Sequence, residues 1–235
     1  MPQKVQCEVL NVVDHGGQVY SVFLKPRVPA PRFQAGQFLH LALDPYQPGD
    51  FWPESRVFSI ASAPDDRSLL RITYAVKGQF TSRMEAELHA GREVWIKLPY
   101  GEFTVSPESD ACLLAGGTGV TAFTAFIGGL PADYGHQVHL FYGARRPDLL
   151  IYRPQVEEAL RRCPHLHSTF MAEESADGTD CVPGRINLDL VWKSIPDPLA
   201  VAYYLAGPPE MIRLFTDGLS QRGVPADCTI IDAWE

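Results

Sequence analysis

A glycine-rich turn near the middle of the chain has the spacing of a loop that binds a dinucleotide. Gly116-Gly117-Thr118-Gly119 follows the apolar run Ala111–Ala115 and precedes a stretch typical of a helix. From Gly117 the sequence reads G-x-G-x-x-A, in which glycines permit a tight turn and let backbone N–H groups approach a pyrophosphate. The same letters occur in ordinary turns, but the strand before them and the helix after them favour nucleotide binding.

A second string, in the first half of the chain, combines a cation with hydroxyl groups. Residues 56–62 read R-x-F-S-x-x-S on a predicted strand. Alternation along a strand places Arg56, Phe58 and Ile60 on one face and Val57 and Ser59 on the other. A guanidinium forms a planar fork for a pyrophosphate, and a serine hydroxyl can bond the polar edge of a ring. By itself the string is also that of an ordinary amphipathic strand.

One arginine bears on which nucleotide the glycine-rich turn would hold. An acidic residue about 20 positions after the turn, which would bind a ribose 2′-hydroxyl, is missing. Arg145 stands in that region instead, within Tyr142-Gly143-Ala144-Arg145-Arg146. By the standard fingerprint Arg145 favours a 2′-phosphate and hence NADP. The alternative is that both arginines belong to a solvated loop.

Composition excludes several other classes of function. The 235 residues are 46% apolar and 20% charged, as in a folded protein. The net charge of −8 and the lack of a basic run exclude nucleic-acid binding. The seven histidines and five cysteines form no ligand-like cluster, so no metal site is predicted. No apolar run approaches the roughly 18 residues of a transmembrane helix and no signal peptide is evident, so we predict a cytoplasmic protein.

The elements that must position these residues differ between the two halves of the chain. Six short strands with turn signals between them favour a closed antiparallel barrel in the first half, in which only 80–88 has a helical pattern. The strands are predicted over 5–13, 19–25, 37–43, 56–62, 69–76 and 93–98.

After residue 107 wholly apolar strands alternate with helices, which implies a parallel sheet covered on both faces. The strands are predicted over 111–115, 138–142, 168–172, 202–206 and 228–231, and the clearest helices over 154–162 and 209–221. We therefore predict a β domain over residues 1–106, followed by an α/β domain over 107–235.

Six motifs, taken in order, resemble those of the ferredoxin–NADP reductase superfamily and cover nearly the whole chain. They are R-x-[YF]-S at 56–59, G-x-x-[ST] at 78–81, G-x-F at 101–103, G-G-T-G at 116–119, [CSA]-G-P at 206–208 and an acidic-x-aromatic end at 232–234. The resemblance implies a six-stranded antiparallel Greek-key barrel that binds flavin. It also implies a following Rossmann-like domain, with a parallel sheet, that binds a nucleotide.

The cofactors implied by the resemblance are FAD, in preference to FMN, and a nicotinamide nucleotide. Flavin contacts would come from Arg56, Val57, Phe58, Ser59, Tyr74, Ala75, Val76, Gly78, Gln79, Phe80 and Thr81. Nicotinamide-nucleotide contacts would come from Gly116, Gly117, Thr118, Gly119, Arg145, Glu173, Ala206, Gly207 and Pro208.

Three residues receive catalytic roles from the resemblance. Ser59 would form a hydrogen bond at the N5/O4 edge of the flavin, and Asp232 would tune the charge near the reacting centre. Trp234 would stack over the isoalloxazine and give way when nicotinamide enters. Since chain ends are commonly disordered, the alternative for Trp234 is a loose terminal side chain.

The adenosine end of the nucleotide is often read at the end of the third parallel strand in this superfamily. This chain has Glu173 and Glu174 there. Carboxylates repel a 2′-phosphate and can accept a hydrogen bond from a 2′-hydroxyl, so they favour NADH. Arg145 argues for NADPH, and the two glutamates could instead begin a solvated loop. We predict NADH.

The implied activity is hydride transfer from NADH, or NADPH, to bound FAD. Electrons would then pass to a separate redox protein, such as a ferredoxin or an oxygenase component, because no iron–sulfur spacing of cysteines is present. Ala206 replaces a cysteine common in this superfamily, which keeps open a free-flavin reductase. A third interpretation is an electron-transfer subunit that uses no nicotinamide, against which the intact turn at 116–119 argues.

Overall fold

The computed structural model describes residues 1–174 and 178–232. The chain separates into two compact units, Met1–Thr104 and Val105–Glu235. The domain boundary at residue 106, and the assignment of flavin to one domain and nicotinamide to the other, stay predictions.

The first unit is a six-stranded antiparallel sheet that curls into a nearly closed barrel. Its elements are β1 (Gln3–Asp14), β2 (Val19–Pro26), β3 (Phe38–Ala42), β4 (Ser55–Ser59), β5 (Leu70–Ala75), α1 (Gln79–Glu87) and β6 (Glu93–Tyr100). The strand order is β4-β3-β6-β1-β2-β5, and the Ala61 N–H donates to the Arg71 carbonyl (2.8 Å) where the edge strands β4 and β5 approach. The prediction of a closed antiparallel barrel is confirmed in its strand number and direction.

The period-two pattern of the strands decides which side chains fill this barrel. Along β1, Val5, Cys7 and Val9 are buried. In the β3–β4 pair, the buried Leu39 and Leu41 lie opposite Phe58 and Arg56. Directly opposed residues of an antiparallel pair share a face, so Phe58 and Arg56 lie on the face of Leu39 and Leu41. Phe58 packs against the core, whereas the side chain of Arg56 reaches solvent. Val57 and Ser59 point to the outer side, opposite His40 and Phe38.

The second unit is a six-stranded parallel sheet with helices, as the alternation of strands and helices predicts. Its strands are β7 (Ala111–Gly116), β8 (Val138–Ala144), β9 (Leu166–Ala172), β10 (Val182–Pro183), β11 (Ala202–Ala206) and β12 (Thr229–Ile231). Its helices are α2 (Thr121–Gly129), α3 (Arg153–Arg162), α4 (Leu188–Ser194) and α5 (Pro209–Gln221). The strand order is β10-β9-β8-β7-β11-β12, and every pair is parallel.

The apolar runs of the second unit lie in the centre of this sheet. Residues 111–115 of β7 are all buried, and Cys112 and Leu114 pack in one cluster with Val191 of α4 and Phe215 of α5. Within the ranges that the structure describes, no helix is long and apolar enough to cross a membrane.

Candidate functional site

A cavity of about 370 Å³ opens at the carboxyl ends of the parallel strands in the second unit. Five residues predicted to bind the nucleotide line it: Gly116, Gly117, Arg145, Glu173 and Pro208. They follow or end β7, β8, β9 and β11, which neighbour one another in the sheet. Ligands of open parallel sheets bind at this edge, so the fold brings residues from four separate segments to one site.

Two glycines allow the loops after β7 and β11 to approach at the base of this cavity. A Cβ atom on Gly119 would lie 2.4 Å from the carbonyl oxygen of Ala206, and one on Gly207 would lie 3.0 Å from the Cα of Gly116. Gly117 has φ +56°, and a Cβ there would meet nothing within 4 Å. The loops therefore touch through backbone, while Gly117 leaves its own backbone open to a ligand.

The turn after β7 differs in one detail from the prediction that it opens a helix directly. Residues Gly117–Val120 form a 3₁₀ turn, and α2 begins only at Thr121. The hydroxyl of Thr121 donates to the Thr118 carbonyl (2.8 Å), which satisfies that carbonyl in the tighter turn. N–H groups of the turn, rather than those of a full α-helical turn, are the donors nearest to Gly117.

Two ion pairs lie at the rim of the cavity, and they contain Arg145 and both glutamates that the sequence analysis considered. Arg145 Nε donates to Glu174 (2.7 Å), and Arg185 Nε donates to Glu173 (2.8 Å). Both arginines are largely exposed. Arg145 therefore forms an ion pair with a carboxylate and is not free to bind a phosphate.

Arg185 is a residue of this site that sequence analysis missed. It follows the two-residue strand β10 and lines the cavity beside Ile186. A strand of two residues is too short to show an alternating pattern. The only sequence signal for Arg185 was therefore a positive charge next to Gly184. The apolar side chains of Ile186, Met211 and Leu214 line the same cavity and offer a surface for a planar base.

In the first unit, two predicted flavin motifs meet at the amino end of α1. The guanidinium carbon of Arg56 lies 5.3 Å from the ring centre of Phe80, the second residue of the helix. Thr81 Oγ accepts hydrogen bonds from the N–H groups of Lys77 (2.9 Å) and Gly78 (3.0 Å). A cation beside a helix amino end is suited to a phosphate.

The hydroxyl of Tyr74 is a buried polar group whose hydrogen-bonding capacity is not used within the described residues. It forms no hydrogen bond within the described part of the chain, although Tyr74 is only 3% exposed. Its ring lies 6.1 Å from that of Phe58 and stacks on Tyr20 at 5.6 Å. Burial raises the pKa of this hydroxyl, which keeps it protonated and able to donate. Because buried polar groups are normally satisfied, the Tyr74 hydroxyl fits a polar ligand such as FAD. Arg56 is exposed and pairs with Glu54 (3.0 Å), so it would exchange this partner for a phosphate of that ligand.

The predicted catalytic residues lie in different parts of the chain. Ser59 is half-buried at the end of β4. Asp232 is buried, and its N–H donates to the Leu205 carbonyl (2.9 Å), which ties the end of β12 to β11. Trp234 lies outside the described residues. The catalytic roles of all three stay predictions.

An ion-pair network holds α1 against the strands. Arg83 of α1 forms ion pairs with Asp44 (2.8 Å) and Glu87 (3.0 Å), and Arg92 forms one with Glu87 (3.2 Å). The hydrogen bonds from Arg83 lower the pKa of the Asp44 carboxyl. The network therefore helps to orient the helix whose amino end lies beside Arg56.

We expect Asp44→Asn to lower the Tm slightly at pH 7, by no more than about 3 °C, because exposed ion pairs are weak. A lowered folded-state pKa stabilises the fold above the unfolded pKa of about 4. This stabilisation is lost as pH falls through the folded-state value, so the difference in Tm should vanish at acidic pH. Thermal melts from pH 7 to pH 3 check this, with the exposed Asp65→Asn as control. A difference in Tm that does not shrink between pH 7 and pH 3 contradicts the ion-pair explanation.

Comparisons with known proteins agree with this architecture. Residues 113–217 match the family model of the oxidoreductase NAD-binding domain. The chain is 28% identical to the reductase component of propane 2-monooxygenase from Rhodococcus jostii (strain RHA1), over 98% of this chain and 63% of that relative. It is 26% identical to the NAD(P)H-flavin reductase of Aliivibrio fischeri, over 88% of each chain. The solved Amycolatopsis cytochrome P450 reductase GcoB superposes with a TM-score of 0.85 at 21% identity, covering 99% of this chain and 70% of that one.

The domain match in the second unit and the similar reductases support the predicted resemblance to the ferredoxin–NADP reductase superfamily. They also support the predicted class, a flavin-dependent NAD(P)H oxidoreductase, with FAD and a nicotinamide nucleotide as cofactors. In the described part of the chain, no group of three or more His, Cys, Asp or Glu residues is arranged to hold a metal ion.

Proposed function

We propose that the chain is a reductase that takes a hydride from NADH onto FAD and passes the electrons to a separate redox protein. The similar propane 2-monooxygenase reductase component is the reductase part of an oxygenase system. The proposal rests on the cavity at the carboxyl ends of β7, β8, β9 and β11, beside which the backbone of Gly119 lies against that of Ala206. A glycine-rich turn with a purely structural role would not need an open cavity with apolar walls beside it.

The residues of the second unit would bind and orient the nicotinamide nucleotide. N–H groups of the turn at 117–120 would donate to the pyrophosphate, and Thr118 would help to seat the nicotinamide. Ile186 and Met211 would pack against the adenine. Ala206 offers no thiol beside the reacting carbon, and hydride transfer requires none.

The residues of the first unit would hold the flavin. Arg56 and the amino end of α1 would bind its pyrophosphate, and the Tyr74 hydroxyl would donate to a polar atom of the ligand. Ser59 would bond the N5/O4 edge of the ring, and Asp232 would tune the charge near the reacting centre. When bound, FAD supplies the chemistry that accepts two electrons as hydride and releases them singly.

The preference for NADH is supported by the charges on the cavity rim. Arg145 and Arg185 are each neutralised by a glutamate. A 2′-phosphate would have to displace a carboxylate from an arginine and then lie beside it. A 2′-hydroxyl can accept from the arginine or donate to the carboxylate without breaking either pair.

We expect the double variant Glu173→Gln/Glu174→Gln to gain activity with NADPH, because it frees both arginines for the 2′-phosphate. Removing repulsion of about 1–3 kcal/mol should raise the NADPH-to-NADH ratio of kcat/KM by about 10- to 100-fold. Steady-state kinetics with both nucleotides check this, with the exposed Glu158→Gln of α3 as control. An unchanged ratio would place adenosine recognition elsewhere.

The direct test of the proposed function is the visible spectrum of the purified protein. We expect flavin bands that bleach under anaerobic NADH, and more slowly with NADPH. Faster bleaching with NADPH would overturn the cofactor preference and restore Arg145 as a phosphate ligand. Bound flavin that neither nucleotide bleaches would instead support an electron-transfer subunit.

A second function, reduction of free flavin, is favoured by one residue and one relative. Ala206 replaces the cysteine common in the superfamily, and the similar Aliivibrio fischeri protein is an NAD(P)H-flavin reductase. In that case the protein would purify colourless and oxidise NADH only after flavin is added. The Tyr74 hydroxyl argues for retained FAD, because this buried group has no other hydrogen-bond partner in the described part of the chain.

A further inference from the structure

A second cavity of the second unit, of about 410 Å³, lies on the face of the sheet that α4 and α5 cover. It is lined by residues of β8 and β9, among them His139 and His167, and by Ser194 at the end of α4. Each histidine lies five positions before the last residue of its strand. At about 3.3 Å per residue, this is roughly 16 Å from the edge of the sheet that holds the nucleotide cavity. The second cavity is therefore a separate site.

Two imidazole rings face each other in this cavity. His139 of β8 is paired in register with His167 of β9, and their ring centres are 5.0 Å apart with the planes 24° from parallel. His139 is half-buried and His167 is exposed, so the pair can be reached from solvent. Small rotations of two rings at this separation bring one nitrogen of each onto a common metal ion, at the usual distance of about 2.0–2.1 Å.

The side chain of Gln137 fixes the position of the proton on His167. Nε2 of His167 donates to Oε1 of Gln137 (2.9 Å), and Nε2 of Gln137 donates to Nδ1 of His165 (2.9 Å). An amide oxygen can only accept, so His167 holds its proton on Nε2 and keeps a lone pair on Nδ1. Histidines that bind metals usually donate their other N–H to such an oxygen. The ring of His139 forms no hydrogen bond within the described residues.

The chemistry of the lining residues selects the class of ligand. None of those that the structure describes is Lys, Arg, Asp or Glu. An anion is therefore offered no permanent positive charge, and Mg²⁺ or Ca²⁺ is offered no carboxylate. Burial, and then the neighbouring His167, lowers the pKa of His139, which keeps its imidazole neutral near pH 7. Neutral imidazoles suit zinc, copper and nickel.

We propose that His139 and His167 bind one divalent cation of the late first-row metals, such as Zn²⁺, Ni²⁺ or Cu²⁺, with Gln137 as a positioning residue. The site supplies two protein ligands, fewer than the three of a catalytic zinc site, so water completes the coordination and the ion exchanges with solvent. The sequence predicts no metal site, because the two histidines lie 28 positions apart. Only the pairing of β8 with β9 brings them together.

The test is a calorimetric titration of the full-length chain, without a histidine tag, with Zn²⁺ at pH 7.5. We expect one Zn²⁺ per chain, and no binding of Mg²⁺. His139→Gln and His167→Gln should each abolish the binding of Zn²⁺, because one imidazole is left. Gln137→Leu should raise the Kd by about 10- to 100-fold, as for the loss of an outer partner of a ligand. His89→Gln, which removes an exposed histidine of the first unit, is the control and should keep the wild-type Kd.

Two further measurements do not depend on the loss of a side chain. The electron paramagnetic resonance spectrum of the chain with Cu²⁺ should show coupling to two imidazole nitrogens, and oxidised flavin does not interfere because it has no unpaired electron. Thr169→His should tighten the binding of Zn²⁺. Thr169 lines the same cavity two positions after His167, on the same face of β9, so the variant adds a third imidazole.

Several outcomes would overturn the metal site. These are a wild-type chain that binds no Zn²⁺, wild-type affinity in His139→Gln/His167→Gln, and an equal loss in His89→Gln. Thermal melts without metal show whether the variants fold. If His139→Gln melts at a lower temperature, Thr169→His decides, and an unchanged Kd for Zn²⁺ in that variant overturns the site. Bleaching of the flavin by NADH is measured separately, because failure there would contradict the proposed function and not the binding of metal.

Discussion

Replacing Gly119 by alanine should abolish most of the activity with NADH while flavin binding is retained. The added Cβ would lie 2.4 Å from the Ala206 carbonyl oxygen and 2.6 Å from the Gly207 nitrogen, and both are backbone atoms that cannot rotate away. The turn at 117–120 and the loop after β11 must therefore separate by about an ångström. A displacement of that size in a binding site costs about 100-fold in rate.

The measurement is the rate of anaerobic flavin bleaching as a function of NADH concentration. Gly129→Ala is the matched control, because a Cβ there meets nothing within 4 Å and Gly129 ends the helix that Gly119 precedes. We expect the control to keep the wild-type rate. Wild-type kinetics in Gly119→Ala would contradict the role of this close approach. The Tm of each variant separates a local shift from unfolding, since overpacking costs about 1–3 kcal/mol.

Replacing Arg56 by glutamine should release most of the FAD. The guanidinium lies against Phe80 at the amino end of α1, where it would bond a phosphate of the ligand. Hydrogen bonds to charged groups contribute about 1.5–3 kcal/mol each. The Kd for FAD should therefore rise by about 10- to 100-fold for a single lost contact.

The FAD content after dialysis and the Kd from fluorescence quenching measure this effect. Arg32→Gln is the control, because Arg32 is exposed in the same unit and outside the flavin motifs. Unchanged FAD content in Arg56→Gln would contradict a phosphate contact and leave Arg56 with its contacts to Glu54 (3.0 Å) and Phe80. Loss of FAD in the control as well would indicate general destabilisation of the barrel.

The two variants should affect different halves of the reaction, one the transfer from NADH and the other the binding of FAD. Gly119→Ala should leave a yellow protein that NADH bleaches slowly. Arg56→Gln should leave a paler protein in which the remaining flavin bleaches at a normal rate. A variant that lost both properties would show that the site of one unit depends on the folding of the other.

Local patterns in the sequence were sufficient to predict the architecture. Alternating residues such as Val5, Cys7 and Val9 predict barrel strands, and the buried run at 111–115 predicts a central parallel strand. Both patterns depend only on neighbours along the chain. The strand β10 and the 3₁₀ turn at 117–120 escaped prediction because two to four residues are too few to show a period.

Contacts between distant residues depend instead on the order of the strands, which no local pattern contains. The order places Glu173 and Arg185 on one rim, and it packs Gly119 against Ala206 across nearly 90 positions. The motifs identify Glu173, Arg145 and the glycines as candidates, but they do not show which glutamate forms an ion pair with which arginine.

The fold class and the residue types at the candidate sites can be read from the sequence, because periodicity and motif spacing are local properties of the chain. The three-dimensional structure was needed to show that Arg145 is paired with Glu174, that Arg185 is paired with Glu173, and that Arg56 lies at the amino end of α1. Sheet register and strand order bring together charges that are far apart in the chain, and these pairings then limit which ligand each site can accept.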